Sequence, residues 1–478
     1  MKEKTMKWAA ENMNGALHIF NNDETAFHSV AIDSRRAKEG GIFFCIIGAK
    51  NDAHRFIPDV RERGCRNIVI SDQEWLSRIR EMGEMNVILV KDTTRALMDM
   101  TAAYVDGLRG IKKVGITGSV GKTSTKEFTA SVLESKYKVG KTEGNLNSEY
   151  GVPLTVFALP DDIEVAVIEM GVGGGTRMCD LAEMIKPDAA VVTTIGSSHL
   201  EAFGTRNNLR REKLSICDGF TKDNVLVINS DNDMLHLEDV AGNIEGSPHI
   251  ITVGSEEGCD YRISEVCDGG INGVKCSLDI FNHNHDQCRH FHLALNCVGA
   301  HNLWNAAEAV AIGCSFGIDP ADAVRAAENA DIGINGNRLE IVRRADCTII
   351  NDAYNASPES MKSGIDVLMN TDANRHIAVL GDMFELGEQS EYMHADVGRY
   401  AAEHGVERLV TIGSNAGEIA RGAMKSGMKD IGVFSEAESA LESINSDIRE
   451  GDVFLLKASR AMRFERLAEQ IGSSGHIY

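Results

Sequence analysis

The chain has no cysteine pair spaced as C-x-x-C, and its eleven cysteines are an odd number scattered from Cys45 to Cys347. That pattern argues against a disulfide framework and for reduced thiols in a cytoplasmic protein. No apolar run approaches the roughly 20 residues that a membrane span needs. The N-terminal M-K-E-K-T-M-K-W is charged but has no apolar stretch of a signal peptide behind it. Basic residues do not dominate either: 49 Lys and Arg stand against 71 Asp and Glu, a formal charge of −22 over 478 residues. A phosphate backbone is bound by basic surfaces, so nonspecific nucleic-acid binding is not expected. A local basic pocket for a nucleotide is still compatible with an acidic surface. No internal repeat or low-complexity tract stands out. The apolar and charged fractions, 43% and 25%, are those of an ordinary globular protein, and the length suggests about three domains.

Strand-like runs alternate with helical stretches along most of the chain, which predicts an α/β protein built on doubly wound, mostly parallel sheets. Residues 1–107 carry short strands such as Gly41–Ile47 and Asn67–Ser71. A sharper pattern begins at Ile111, with strands at Val165–Glu169, Ala189–Thr194 and Val225–Asn229. Residues 254–296 have period-2 patterning and are rich in Cys and His, so antiparallel hairpins are expected there. A helix is expected from Asn302 to Gly313. A boundary is placed near residue 330, and beyond it strands are expected at Cys347–Asn351, His376–Leu380, Arg408–Ile412 and Val453–Lys457. The division is therefore 1–107, 108–330 and 331–478.

The clearest chemical signal is T-G-S-V-G-K-T-S, residues 117–124, which follows a strand and opens a helix. In that context backbone N–H groups and a helix N-terminus cradle phosphate. Gly118 and Gly121 let the backbone approach the oxygens, flanked by Ser119, Val120 and Ser124. Lys122 would neutralise the terminal phosphates, and the Thr123 hydroxyl would bind Mg²⁺. The usual P-loop has Gly five positions before the second Gly; Ile116 stands there, so this loop is a variant. An ordinary Gly-rich turn would lack the G-K-T-S continuation. Glu169, in I-E-M-G, ends the next strand of the pattern. His199, in S-S-H-L-E, lies just past a further strand, and Lys213, in R-R-E-K-L-S, follows a short helix later. Each alone reads most simply as a surface residue. Their common placement at the ligand-binding edge of a doubly wound sheet suggests a metal and phosphate site.

These motifs, with G-N-L-N-S-E-Y-G-V-P, G-A-H-N-L-W-N-A, N-R-L-E, N-D-A-Y-N-A-S-P, L-G-D-M-F-E-L-G and L-L-K-A-S-R-A-M-R-F-E, resemble the Mur ligase family nearly end to end. The D-x-Y-N-A-x-P and K-x-S-R-x-M-R-x-E strings are similar to its D-alanyl-D-alanine-adding branch, and the D-N-P-R motif of another branch is absent. The resemblance implies an N-terminal UDP-substrate domain, a central P-loop ATPase domain and a Rossmann-like C-terminal domain. It also implies an ATP-dependent, ADP-forming ligase of cytoplasmic peptidoglycan precursor synthesis. Such an enzyme would activate the carboxylate of UDP-N-acetylmuramoyl-tripeptide as an acyl phosphate and join it to D-alanyl-D-alanine.

Carried over by position, the resemblance gives Thr123 and Glu169 to a first Mg²⁺, and His199 and a carbamylated Lys213 to a second. It gives Asn302, Arg338 and Asp352 to ATP, with Arg338 at the γ-phosphate. Asn145 and Asn147 fall to the muramoyl-peptide. Asp33, Ser34, Arg35, Asp52 and His54 fall to the UDP-sugar, and Asn355, Lys457, Ser459 and Arg460 to D-alanyl-D-alanine. The chain departs from the family pattern in G-V-G-G-G-T-R after Glu169, in D-A-H for D-G-H, in K-A-S-R for K-G-S-R and in Ser148 for Asn. Neither a nucleic-acid nor a membrane partner is expected, and the chain is expected to act as a monomer.

Three further readings belong to the sequence. Cys276, His283, His285, Cys288, His290 and His292 match zinc-ligand spacing only loosely, and are taken as a solvated hairpin. Trp8, Trp75 and Trp304 are taken as packing residues. The rival functions are another ligase of the superfamily, such as a folylpolyglutamate type, and a P-loop scaffold that binds ATP without chemistry.

Overall fold

The computed structural model describes residues 1–20, 26–48, 51–173, 175–282, 284–332 and 339–472. Contacts divide the chain into two compact units. The first holds residues 1–116, 136–190 and 215–224; the second holds 117–135, 191–214 and 225–478. Contacts carry the Gly-rich loop and its helix into the second unit. One physical reason is that the helix after the Gly-rich loop, Lys122–Glu134, packs against His301–Ser315 and Pro320–Glu328.

In the first unit a five-stranded sheet runs in the order Ala16–Ile19, Asn86–Leu89, Asn67–Ile70, Gly41–Phe44, Ser29–Ala31. Its first pair is antiparallel and the rest are parallel. Ile42, Phe43, Phe44, Ile68, Val69 and Ile70 are all fully buried. Successive side chains point to opposite faces, so such runs mark a sheet covered on both sides. The strand Lys112–Thr117 pairs in parallel with Val165–Glu169, which pairs in parallel with Val139–Lys141. That register sets Glu169 opposite Ile116, two residues before Gly118.

In the second unit Val225–Asn229, His249–Gly254 and Tyr261–Asp268 run parallel in turn. Val274–Phe281 and Cys288–Leu295 then continue antiparallel, giving the hairpins expected from the period-2 pattern. Residues 340–457 form a six-stranded sheet, ordered Glu340–Arg343, Cys347–Asn351, Asp452–Lys457, Arg375–Gly381, Arg408–Ile412, Ile431–Phe434. Only the first strand is antiparallel to its neighbour. Neighbouring residues serve opposite faces: Ile350, Leu380 and Leu455 pack with Met361, Ile365 and Ile419, whereas Ile349, Val379 and Phe454 pack with Ile444, Phe464 and Leu467. Among the described residues no helix is long and apolar enough to cross a membrane.

Candidate active site

The Gly-rich loop has the shape its glycines require. Gly118 has φ +153° and Gly121 φ +92°. A Cβ on Gly118 would run into the Thr193 side chain, and one on Gly121 would come 2.7 Å from Asn305 Oδ1. Both positions therefore exclude side chains on steric grounds as well as by backbone conformation. Neighbouring threonines hold the loop in shape: Val120 N–H donates to Thr194 Oγ1 at 3.0 Å, and the Thr193 hydroxyl donates to the Val120 carbonyl. The helix starting at Lys122 has Gly121 as its N-cap, which supplies no side-chain cap. Its first N–H groups and the positive end of its dipole are suited to an anion. The Lys122 ammonium folds back on the loop and donates to the Gly118 carbonyl at 2.8 Å.

Lys213 is 1% exposed, and its Nζ donates to the Gly118 carbonyl at 3.1 Å. Burial, and next the Lys122 charge, push its amine well below the ordinary lysine range; Glu212 pulls weakly the other way. His199 sits at φ +63°, a left-handed conformation rare outside glycine, and its Nδ1 pairs with the Glu385 carboxylate. Burial lowers the imidazole pKa most; Glu385 opposes this, while the Lys213 and Lys122 charges add to it. The structure thus gathers Lys122, His199 and Lys213 around the loop. Glu385, in L-G-D-M-F-E-L-G, is a partner that sequence reasoning did not assign.

Beside the loop lies a cavity of about 240 Å³, lined by Val120, Gly121, Thr194, Asn229, Asp268, Ala300, His301, Trp304, Asn305, Ser363 and Asp366. Trp304 is therefore a cavity wall and not only a packing residue. Its indole N–H donates to Asp231 Oδ2 at 2.8 Å, which fixes the ring. Asn302 is 3% exposed and faces inward: its Nδ2 donates to the Val298 carbonyl, and its Oδ1 accepts from Asn305 Nδ2. Behind it lies Glu308, fully buried, with its carboxyl on the Thr125 hydroxyl at 3.0 Å. Burial pushes the Glu308 pKa up to about 8. Thr125 Oγ1 also lies 3.2 Å from Asn305 Oδ1. The Thr125 hydroxyl donates to Glu308 Oε2 and also reaches Asn305 Oδ1, so its one proton is shared between two acceptors. The resulting relay runs Glu308, Thr125, Asn305, Asn302, from the loop helix to the cavity helix. No linear spacing marks Glu308, whose partner stands 183 residues away.

In the first unit Glu169 is 1% exposed and accepts from Asn147 Nδ2 at 2.7 Å. The Gly171 N–H donates to the Asn147 carbonyl, so the G-N-L-N turn is tied to the strand end that carries Glu169. Asp33 caps the short turn Ser34–Arg36, and the Arg35 guanidinium holds its carboxyl down at about 2. Asp52 caps the turn Ala53–Phe56 and bonds to His54 Nδ1 at 2.6 Å. His54 is fully buried, and its Nε2 accepts from the Ser71 N–H. Both ring nitrogens are thus used inside the fold. This imidazole secures the Asp52 turn, and the sequence assignment of His54 to ligand contact becomes one of positioning.

The residues expected at the amine end also come together. Lys457, 2% exposed, pairs with the Asp352 carboxylate and donates to the Asn355 carbonyl at 3.1 Å. The Arg460 guanidinium lies over the Tyr354 ring, 4.9 Å from its centroid. Ser459 Oγ accepts from the Phe384 N–H. Arg338 lies outside the described residues.

Residues 116–313 match the Mur ligase middle domain and residues 337–460 the Mur ligase glutamate ligase domain. Among curated relatives, UDP-N-acetylmuramoyl-tripeptide--D-alanyl-D-alanine ligase of Bacillus subtilis is 33% identical over 98% of this chain and 99% of its own. The chain belongs to the Mur ligase family. Among solved structures, MurF from Acinetobacter baumannii superposes with a TM-score of 0.88 at 27% identity, covering 99% of this chain and 100% of its own. MurF ligase from Thermotoga maritima in complex with ADP gives a TM-score of 0.75 at 26% identity, covering 93% and 97%. These matches span the whole α/β architecture, so the fold class read from the sequence holds.

Proposed function

We propose that the protein is an ATP-dependent, ADP-forming ligase that adds D-alanyl-D-alanine to UDP-N-acetylmuramoyl-tripeptide in peptidoglycan precursor synthesis. The observation that carries the reading is the Gly-rich loop and its lysines beside a Trp304-walled cavity, in a chain matched end to end by relatives of that name. A carboxylate is a poor electrophile, and phosphorylation by ATP supplies a leaving group through an acyl phosphate. The amine of D-alanyl-D-alanine then attacks the acyl carbon and phosphate departs.

The chain's own part is positioning and charge neutralisation. The uncapped start of the helix at Lys122 and the backbone of residues 118–124 hold phosphates. The Lys122 ammonium neutralises the charge that grows on the transferring group. The cavity takes the nucleotide base, with Trp304 as its flat wall and Asn302 and Asn305 setting the helix that carries it. Asp352 falls to the nucleotide, and we keep Arg338 at the γ-phosphate as an expectation from the family. Asn145 and Asn147 serve the muramoyl-peptide, and Ser34, Arg35 and Asp52 the uridine nucleotide. Asn355, Lys457, Ser459 and Arg460 serve the dipeptide.

The hard oxygens of Thr123 and Glu169 suit Mg²⁺, which supplies charge neutralisation of the triphosphate when bound. His199 and Lys213 belong to a second cation in this reading, with Lys213 carbamylated. The depressed pKa of Lys213 supports it, because only an uncharged amine adds to CO₂. The three-domain division at 107 and 330, supported by the matched spans 116–313 and 337–460, belongs to the same reading, as does a cytoplasmic site of action.

The test is phosphate release and product mass with UDP-muramoyl-tripeptide, D-alanyl-D-alanine and ATP, each omitted in turn. Release should require all three. Release without the dipeptide, or product formation with a single L-amino acid in its place, would overturn the assignment.

A further inference from the structure

The Cys- and His-rich hairpin holds a group that the ligase chemistry does not use. Cys288, His290 and His292 alternate on the strand Cys288–Leu295, so they share one face. Their linear spacing is poor for a metal. The cross-strand register adds what the spacing lacks: His290 stands opposite Asp279, and Cys288 opposite Phe281. His290 Nδ1 lies 2.6 Å from Asp279 Oδ1, and Cys288 Sγ lies 3.9 Å from the same nitrogen. The three donor atoms all lie within 4.8 Å of one another.

Tetrahedral zinc, with bonds of roughly 2.3 Å to sulfur and 2.0–2.1 Å to nitrogen and oxygen, sets its donors about 3.3–3.6 Å apart. The observed separations bracket that range. The His290 side chain is 76% exposed, so its ring can move the roughly 0.7 Å from Asp279 and roughly 0.3 Å towards Cys288 that the ion requires. Asp279 is the fixed member: it is 6% exposed, and its Oδ2 accepts from the Arg262 guanidinium on the next strand. That bond orients the carboxylate and leaves Oδ1 towards His290, as outer partners of metal ligands do.

We infer that Asp279, Cys288 and His290 form a binding site for a thiophilic divalent cation of the zinc class. One thiolate, one imidazole and one carboxylate favour zinc or cobalt and disfavour Mg²⁺, which takes oxygen ligands. The site is separate from the nucleotide cavity. Asp268, in the cavity wall, pairs with Val274, five residues along the strand from Asp279, or roughly 17 Å at 3.3–3.4 Å per residue.

The experiment uses the full chain, stripped with a chelator and titrated with Co²⁺ alone. One equivalent should bind, with a thiolate-to-cobalt charge-transfer band and the strong visible bands of a tetrahedral ion. Zn²⁺ should displace it, and excess Mg²⁺ should not. Cys288→Ser should abolish the charge-transfer band, and His290→Ala or Asp279→Asn should weaken binding at least tenfold. Folding of each variant is checked by circular dichroism and ligase turnover; Cys288→Ser and His290→Ala change half-buried or exposed positions outside the ligase machinery. A charge-transfer band that survives in Cys288→Ser, or cobalt binding without a sulfur band in the unmodified chain, would overturn the assignment.

Discussion

The relay behind the nucleotide cavity leads to a quantitative expectation. Glu308 is fully buried, and its pKa is raised from 4.5 to about 8. In the unfolded chain it loses its proton near the ordinary value; in the folded chain it keeps it until about pH 8. Between those limits the folded state binds one proton more, so stability falls as pH rises. The slope is about 1.4 kcal/mol per pH unit, giving a loss of about 3 kcal/mol from pH 5.5 to 7.5. Below the unfolded value the contribution is complete, and above about 8 it is gone.

Glu308→Gln keeps an acceptor for the Thr125 hydroxyl and removes the titration. The variant should match the parent near pH 5 and exceed it by about 3 kcal/mol near pH 7.5. The assay is urea unfolding of both proteins across pH 5–8.5, read as the difference between them, so that other titrating groups cancel. Parallel curves with no pH-dependent gap would refute both the protonated state and the relay. The relay also ties the loop helix to Asn302 and Asn305. The parent's KM for ATP should accordingly rise above pH 8 more steeply than the variant's.

Lys122→Ala should lower kcat at least about 100-fold while leaving stability within about 1 kcal/mol, checked by phosphate release and thermal melting. Product mass with each amine in turn should show D-alanyl-D-alanine accepted and free lysine, diaminopimelate and glutamate refused; efficient addition of a single amino acid would move the chain to another branch. Rigorous removal of bicarbonate, or a lower pH, should reduce turnover by decarbamylating Lys213. Lys213→Ala should be inactive and regain activity with added acetate, and failure of that rescue would leave only the amine.

What the sequence made legible was local. T-G-S-V-G-K-T-S is contiguous, and its glycines sit where backbone geometry admits no side chain, so one string declares both loop and chemistry. The parallel strands were readable because burial on both faces makes runs such as Val165–Ile168 and Val453–Leu456 wholly apolar. The edge strands Glu340–Arg343 and Ile431–Phe434 went unread because they are short and only partly buried. Partners across the chain were equally hidden. Glu385 on His199, Glu308 on Thr125 and Asp279 on His290 join segments that no linear spacing relates. His54 shows the converse: a motif residue can be kept for its neighbours, since its two nitrogens brace the Asp52 turn.

Buried cations sharpen the distinction between support and chemistry. Lys126 lies 3.0 Å from the Glu127 carboxylate, and the half-buried Arg375 reaches both Asp447 and Asp452. Each has an anion that compensates its desolvation, and neither requires a ligand to explain it. Lys213 is equally buried, yet its hydrogen bond goes to the neutral Gly118 carbonyl and the Lys122 charge opposes it. An ammonium there combines desolvation with like-charge repulsion, and both push the amine's pKa down. An uncharged lysine is a nucleophile, and addition to CO₂ converts it to an anion that attracts Lys122 and any cation serving the triphosphate. The unfavourable placement of the lysine thus becomes favourable once carbamylated, which is why its activity should follow bicarbonate.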